Sequence, residues 1–326
     1  MEKFAKRQFI SDIKDGDRID DVFVVKIKKG VSDYASGYTF HLLLSDSSGK
    51  NIDYRYWGGK DEAIVRKLYE SIKADSVILV KGKFSFYKGM PQIMTNEPDT
   101  VKVLEIGQYD ESDFVKKPKK DVEKMYEDLI MIIESVKDEQ LKRLLLCVFK
   151  DDKIKDKFKV HPGGIEIHHN WIGGLIQHTL ETARYCELCA QLHPTINRDL
   201  VITGALLHDI GKLDEMEVTA RIKGTRKGQM HGHIVLGSIL VSNKMNELKI
   251  GEDTKDKLLH IIISHHGSNE LGSPKEPMFP EALAVYYADE MSSKISEITE
   301  YVEDNKEETE DEFKYHYKKE RNIFLR

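Results

Sequence analysis

The sequence predicts two domains, a small β-barrel followed by an all-helical domain. Three observations carry that reading. Alternating apolar and polar runs crowd the first hundred positions, a polar stretch without periodicity follows, and apolar residues then recur at three- and four-residue spacing. At 326 residues the chain is also longer than one typical hydrophobic core.

Strand-like runs fall at residues 17–28, 37–44, 50–57, 76–87 and 91–104, with turn signals such as Ser47-Ser48-Gly49 and Lys88-Gly89 between them. A helical stretch at 61–72 separates the third from the fourth. Five short strands with a helix between three and four is the order of an OB-fold barrel, which we place at residues 1–106. Residues 107–120 are polar, contain Pro118 and read as a linker. From 121 to 326 the pattern is helical. Met125, Leu129, Ile132, Ile133 and Val136 form one apolar stripe, and Leu141, Leu144, Leu145 and Val148 the next. Further helices fit 172–192, 198–209, 234–248, 254–266 and 280–302. The acidic segment 297–312 reads as a solvated helix face or a frayed linker.

Net charge is −6, distributed as +3 over residues 1–120 and −9 over the remainder. That balance excludes a basic DNA-coating protein, so partner phosphates would have to be met by local patches and metals. The absence of any 18-residue apolar run, or of an apolar core near the N-terminus, argues against membrane insertion and secretion and for a cytoplasmic protein. Cys147, Cys186 and Cys189 lie in apolar helical patterns and read as reduced core residues. The Cys186/Cys189 pair lacks a second pair and is a weak zinc signal.

The histidines are more informative. His178 sits three residues after Leu175 on the inward stripe of its helix. An apolar helix runs into His208-Asp209 and stops at Gly211, and burying that pair is costly unless a cation or partner compensates. His233 opens another helix, His265 lies seven residues past Leu258 on a buried stripe, and Asp289 follows an apolar run. Singly, each has an ordinary reading as a satisfied core or surface residue. Together they offer six inward ligands from five helices, and nitrogen and oxygen donors of this kind suit Mn, Fe or Co better than an all-thiolate zinc site would.

The order H…HD…H…H…D resembles the HD superfamily of metal-dependent phosphohydrolases in its six-ligand, dinuclear form. The strings from His168-His169-Asn170-Trp171 to His178-Thr179, then Gly232-His233-Ile234, Ile263-Ser264-His265-His266-Gly267 and Gly272-Ser273-Pro274, resemble more narrowly the YhaM-type 3′→5′ exoribonucleases, which also carry an OB domain ahead of the HD domain. The chain departs from that pattern at Glu290-Met291 and in the length of its acidic stretch near Glu307, neither of which touches the ligands.

The resemblance implies two divalent ions, Mn foremost with Fe or Co as alternatives. Asp209 would bridge them, with His178, His208 and Asp289 at the first and His233 and His265 at the second. It implies single-stranded RNA as substrate, with single-stranded DNA as the alternative, and release of nucleoside 5′-monophosphates. Lys212 is expected to act beside Asp209 by reaching a phosphate oxygen, a surface lysine being the plainer reading. His168 and His169 are expected at substrate phosphate or leaving group. His266 points about 100° away from His265 around the helix and is expected to meet substrate rather than metal. Trp171 would stack a base or pack in the core. Arg221 and Arg226, in the most basic short loop, would meet strand phosphates or simply solvent. In the barrel, Asp53, Arg55 and Trp57 share one face of the third strand and Tyr54 and Tyr56 the other, while Lys81 and Lys83 alternate with Gly82 and Phe84 on the fourth. Such an aromatic and basic face holds single strands. Two other functions compete: a cyclic-dinucleotide or nucleotide phosphodiesterase, and a non-catalytic single-strand-binding regulator. Oligomeric state is left open by the sequence.

Overall fold

The computed structural model describes residues 3–116, 118, 120–165, 169–307 and 309–326. The chain divides into two compact units, Met1–Lys117 with Val218–Arg221, and Pro118–Glu217 with Ile222–Arg326.

The first unit is a closed barrel built from β1 (Arg18–Tyr34), β2 (Gly37–Ser45), β3 (Asn51–Trp57), β4 (Val77–Tyr87) and β5 (Met90–Asn96), with α1 (Glu62–Ser71) between β3 and β4. Sheet order is β1-β2-β3-β5-β4, and β1 closes it by pairing a second time, with β4; β6 (Val101–Val103) adds to the free side of β4. That is OB topology, as the strand order predicts. One long strand does the work of closure. The first part of β1 pairs with β4 from Arg18↔Lys83 to Val24↔Val77, and the rest with β2 from Val24↔Ser45 to Tyr34↔Gly37. The strand expected at 17–28 continues to Tyr34. Gly30 adopts φ +102 at a register shift, a bulge that bends the strand round without ending it. The expected strand 91–104 is interrupted after Asn96 and resumes as β6.

Alternation along β3 holds as expected: Ile52 and Tyr54 are buried while Asp53, Arg55 and Trp57 are partly exposed. The inward set packs with Phe23, Phe40, Ile78 and Ile93, and α1 closes the barrel with its buried Val65. Asp61 caps that helix by accepting from the N–H groups of Ala63 and Ile64.

The second unit is helical: α2 (Val122–Glu134), α3 (Glu139–Phe149), α4 (Asp152–Val160), α5 (Gly174–Leu192), α6 (Arg198–Leu207), α7 (Lys212–Glu215), α8 (Arg226–Glu247), α9 (Glu252–Ser264) and α10 (Pro280–Asn305). Its core joins Leu129, Ile133, Leu145, Val201, Leu206, Ile262 and Val285. The reading of this region as wholly helical needs one correction. Two short hairpins interrupt it, β7 (Met216–Val218) with β8 (Ile222–Gly224), and β9 (Phe313–His316) with β10 (Arg321–Phe324). Each strand has three or four residues, too few for an alternating pattern to stand out. Cys147, Cys186 and Cys189 are free thiols, Cys186 buried in the core. Among the described residues no helix is long and apolar enough to cross a membrane.

Candidate metal centre

α6 is apolar along its whole length and carries the chain into the interior, where His208 caps its C-terminus and Asp209 follows. Both are buried, as are His178 on α5, His265 at the C-cap of α9 and Asp289 on α10. Gly232 adopts φ +70 inside α8, so that element is two helices meeting at a kink, and His233 begins the second of them. The expected helix start at 233–234 is therefore correct, although a further helical turn precedes the kink.

The side chains converge. Asp209 Oδ2 lies 3.4 Å from Nε2 of both His178 and His208, and Oδ1 lies 3.6 Å from Nε2 of both His233 and His265. Asp289 Oδ1 is 3.1 Å from His178 Nε2 and 4.0 Å from His208 Nε2. One carboxylate thus faces two histidine pairs with its two oxygens. Among the described residues two triplets are spaced to hold a metal ion, His178/His208/Asp209 and His233/His265/His266.

Each imidazole is oriented from behind. Nδ1 meets an oxygen in every case: Ser292 Oγ for His178 at 3.0 Å, the Ala205 carbonyl for His208 at 2.8 Å, Glu215 Oε1 for His233 at 2.9 Å, the Ile262 carbonyl for His265 at 2.6 Å and the Leu271 carbonyl for His266 at 3.0 Å. With Nδ1–H donating outward, Nε2 presents its lone pair to the common centre, the arrangement that outer partners give metal-binding histidines. The sequence reading missed those partners. Glu215 also accepts from the His233 N–H at 2.9 Å, so one carboxylate caps the helix and fixes the ring. Burial by itself raises the Glu215 carboxyl, and its bonds to His233 outweigh that and hold it below the ordinary value. Glu215→Gln is expected to weaken divalent-metal affinity about 10- to 100-fold without unfolding the protein, read by competition with a chromophoric chelator. Unchanged affinity would remove Glu215 from the site.

Does the site fit a metal? Both Asp209 oxygens and His265 Nε2 are buried without a well-formed hydrogen bond, although the Lys212 ammonium stands 2.7 Å from Oδ2. Burial lowers the His178 pKa, yet its bonds to Asp209 and Asp289 raise it to about 9, so the two carboxylates demand positive charge at this point. With neutral imidazoles, Asp209 and Asp289 outnumber Lys212, and divalent cations on nitrogen and oxygen donors meet that demand. The residues fit.

The remaining expected residues are placed unevenly. Lys212 lies in the cluster, paired with Asp209 and donating to the Gly163 carbonyl at 2.8 Å. His266 does not point aside. α9 ends at Ser264 and Gly267 turns the chain at φ +82, so the 100° helical step no longer applies, and His266 Nε2 comes within 3.3 Å of His233 Nε2. His169 is fully buried with Nε2 3.2 Å from Glu181, whose carboxylate also accepts from Ser292 behind His178. His169 therefore sits behind His178, linked to it through Glu181 and Ser292. His168 lies outside the described residues. Trp171 is buried, as in the core reading. Arg226 is exposed at the first turn of α8. Arg221 falls with the first unit and ion-pairs with Asp75. In the barrel, the Arg55 guanidinium lies 4.9 Å from the Trp57 ring centre and 3.2 Å from His41 Nδ1, at a cleft of about 230 Å³ shared with Lys29, Tyr87, Lys88 and Gln92.

His161, which no motif announced, ties these pieces together. Its Nε2–H donates to the Lys212 carbonyl at 2.8 Å, and its own carbonyl accepts from the first turn of α5 at Leu175. Burial lowers its pKa from 6.5 to about 4. Below pH 6.5 the unfolded chain takes up a proton that the folded one refuses until about pH 4, so stability falls across that window. At 1.36 kcal/mol per unit the loss is about 3 kcal/mol. His161→Gln is expected to flatten that part of the pH–stability curve, measured as urea midpoints at successive pH values. Identical slopes for the two proteins would contradict it.

The chain is similar to known proteins in part and along most of its length. Residues 175–294 match the family described as the HD domain. The 3′-5′ exoribonuclease YhaM of Geobacillus sp. (strain WCH70) is 29% identical over 297 residues, which is 88% of this chain and 86% of that one. Among solved structures, fission yeast Pot1 with ssDNA overlaps 30% of this chain and 39% of its own at 10% identity and a TM-score of 0.23. A murine DNA binding protein bound with ds DNA overlaps 31% and 49% at 12% identity and the same TM-score.

Proposed function

We propose, from the premise that this is a YhaM-type chain in which a five-stranded barrel precedes an HD domain, that the protein is a metal-dependent 3′–5′ exoribonuclease acting on single-stranded RNA. The observation that carries the reading is the set of four imidazoles, those of His178, His208, His233 and His265, whose Nδ1 atoms are tied outward and whose Nε2 atoms ring one buried carboxylate.

In this reading His178, His208, Asp209 and Asp289 would hold one divalent ion, and His233 and His265, with Asp209 in common, would hold a second. The position of His266 beside His233 adds it to the second set. Divalent ions, manganese foremost with iron or cobalt as alternatives, supply when bound a nucleophile from water at neutral pH and charge neutralisation for the phosphate. The chain's own residues do the rest. Glu215, Ser292 and the three carbonyls hold the rings in place, so no reorganisation is needed during reaction. Lys212 offsets the Asp209 charge and stands ready for a non-bridging phosphate oxygen. The reaction breaks the P–O3′ bond of the last phosphodiester. Water's hydroxyl goes to phosphorus and its proton to the departing 3′ oxygen, giving a nucleoside 5′-monophosphate and a shortened strand. Single-stranded DNA is the alternative substrate, since its phosphodiester is the same and no 2′-hydroxyl contact is assigned.

Residues 1–106 are proposed as the strand-holding domain, 107–120 as linker and 121–326 as the hydrolytic domain. Arg55 against Trp57 gives the barrel a stacked cation and ring on its outer face, suited to bases and phosphates alike. Free thiols suit a cytoplasmic location.

The test is a time course with manganese on RNA labelled at its 5′ end. Progressive shortening from the 3′ end is expected. Intact RNA together with cleavage of a cyclic dinucleotide would transfer the metal centre to the competing phosphodiesterase reading.

A further inference from the structure

We propose that the C-terminal hairpin, β9 with β10, is a stacking platform for the single-stranded nucleic acid, on the same helix that carries Asp289; this rests on the exoribonuclease reading above. The two strands pair antiparallel from Arg321↔His316 to Phe324↔Phe313. Their inner face is anchored to α10. Ile323 is buried, the His316 ring lies 4.4 Å from that of Tyr301, Tyr301 Oη donates to the Tyr315 carbonyl at 3.0 Å, and Lys319 pairs with Glu297.

The outer face is aromatic. Phe313, Tyr315, Tyr317 and Phe324 are 56%, 45%, 84% and 51% exposed. Phe313 and Phe324 face each other across the ladder with ring centres 5.3 Å apart, and Tyr315 and Tyr317 lie 5.2 Å apart. Single exposed rings are ordinary on a protein surface; four on one face of a fourteen-residue segment, with the aliphatic Ile323 turned inward, mark a surface kept for a partner.

Charge selects the partner. Residues 313–326 carry five lysines and arginines against Glu320 alone, within a chain whose net charge is −6. Lys318 and Arg321 are exposed at the turn end of the hairpin. The other end adjoins residues 303–312, with seven carboxylates against Lys306, and Leu325 N–H donates to the Glu312 carbonyl there. Rings beside a cationic turn suit an anionic polymer with flat bases, because every base offers a π-face while its phosphates seek the cations. Position agrees as well: at 1.5 Å per residue, Glu297 and Tyr301 lie about 12 and 18 Å along α10 from Asp289, a few nucleotides from the metal centre.

The full-length protein tests this with two double variants, Tyr315→Ala/Tyr317→Ala and Tyr315→Phe/Tyr317→Phe. Binding is read by fluorescence anisotropy of a labelled oligouridylate in the presence of chelator, so that no cleavage is needed. The alanine pair is expected to weaken binding about tenfold or more and the phenylalanine pair to stay near the parent. On long RNA the alanine pair should raise KM with kcat kept, while hydrolysis of a dinucleotide is unchanged. Affinity within twofold of the parent in the alanine pair would overturn the proposal, as would a shift in oligomeric state with unaltered RNA binding, which would assign the rings to a second copy. A parent protein that cuts no RNA would sink the exoribonuclease reading, and the anisotropy comparison would still decide the hairpin.

Discussion

Asp209→Asn is expected to reduce turnover of single-stranded RNA by about 10³-fold or more, a loss of at least 4 kcal/mol of transition-state stabilisation. The substitution keeps shape and removes charge. Asp209 turns one oxygen to His178 and His208 and the other to His233 and His265, so a neutral amide fails both sides at once. It also leaves the Lys212 ammonium, 2.7 Å from Oδ2, buried beside an uncharged group. Truncating one partner of a buried pair is destabilising, and the variant should unfold at lower denaturant concentration than the parent. Metal content per chain, measured by mass spectrometry of the dialysed protein, should fall with activity, while binding of single strands in chelator stays near the parent value. A variant that keeps its metal and a tenth of its activity would remove Asp209 from the centre.

Gly211→Ala carries the next largest effect, and for a mechanical reason. A Cβ at Gly211 would lie 2.0 Å from the His233 carbonyl oxygen and 2.4 Å from Gly237 N, so the turn after the His-Asp pair meets the backbone of α8 directly. The obstacle is main chain and cannot swing aside. We expect α8 to move by about 1 Å, with a cost in stability of about 1–3 kcal/mol or more. Misplacement on that scale costs about 10²-fold in rate. Gly232→Ala is the control. Its φ of +70 strains any Cβ, but nothing lies within 4 Å of one, so stability should drop by about 1–2 kcal/mol while His233 keeps its neighbours. Steady-state kinetics and thermal unfolding of both variants separate the two cases; equal losses of activity would contradict the account.

The convergence of His178, His208, Asp209, His233, His265 and Asp289 was legible because burying a histidine or a carboxylate on an apolar helix is costly, and the sequence does so on five helices in order. The outer partners were not. Glu215, Ser292 and Glu181 are polar residues on helices, and only the packing of α7 on α8 and of α10 on α5 turns them toward a ring. His266 was misdirected by assuming a regular helix through a point where α9 has already ended. In the barrel, alternation along β3 separated Tyr54 from Arg55 and Trp57, whereas Gly30 concealed the length of β1 by serving as a bulge. The C-terminal hairpin was hidden by brevity, and by its place after an acidic run that reads as a solvated helix face or a frayed linker.

The residues proposed to hold metal come from the interior or the ends of five different helices, each with its own share of one core. Metal loading is therefore linked to the cooperative melting of the whole helical unit. At a hundredfold excess over its dissociation constant, a bound ion would add about 2.7 kcal/mol to that unit's unfolding free energy. The barrel is built on its own core. A calorimetric scan should accordingly resolve two endotherms, of which chelation lowers only one.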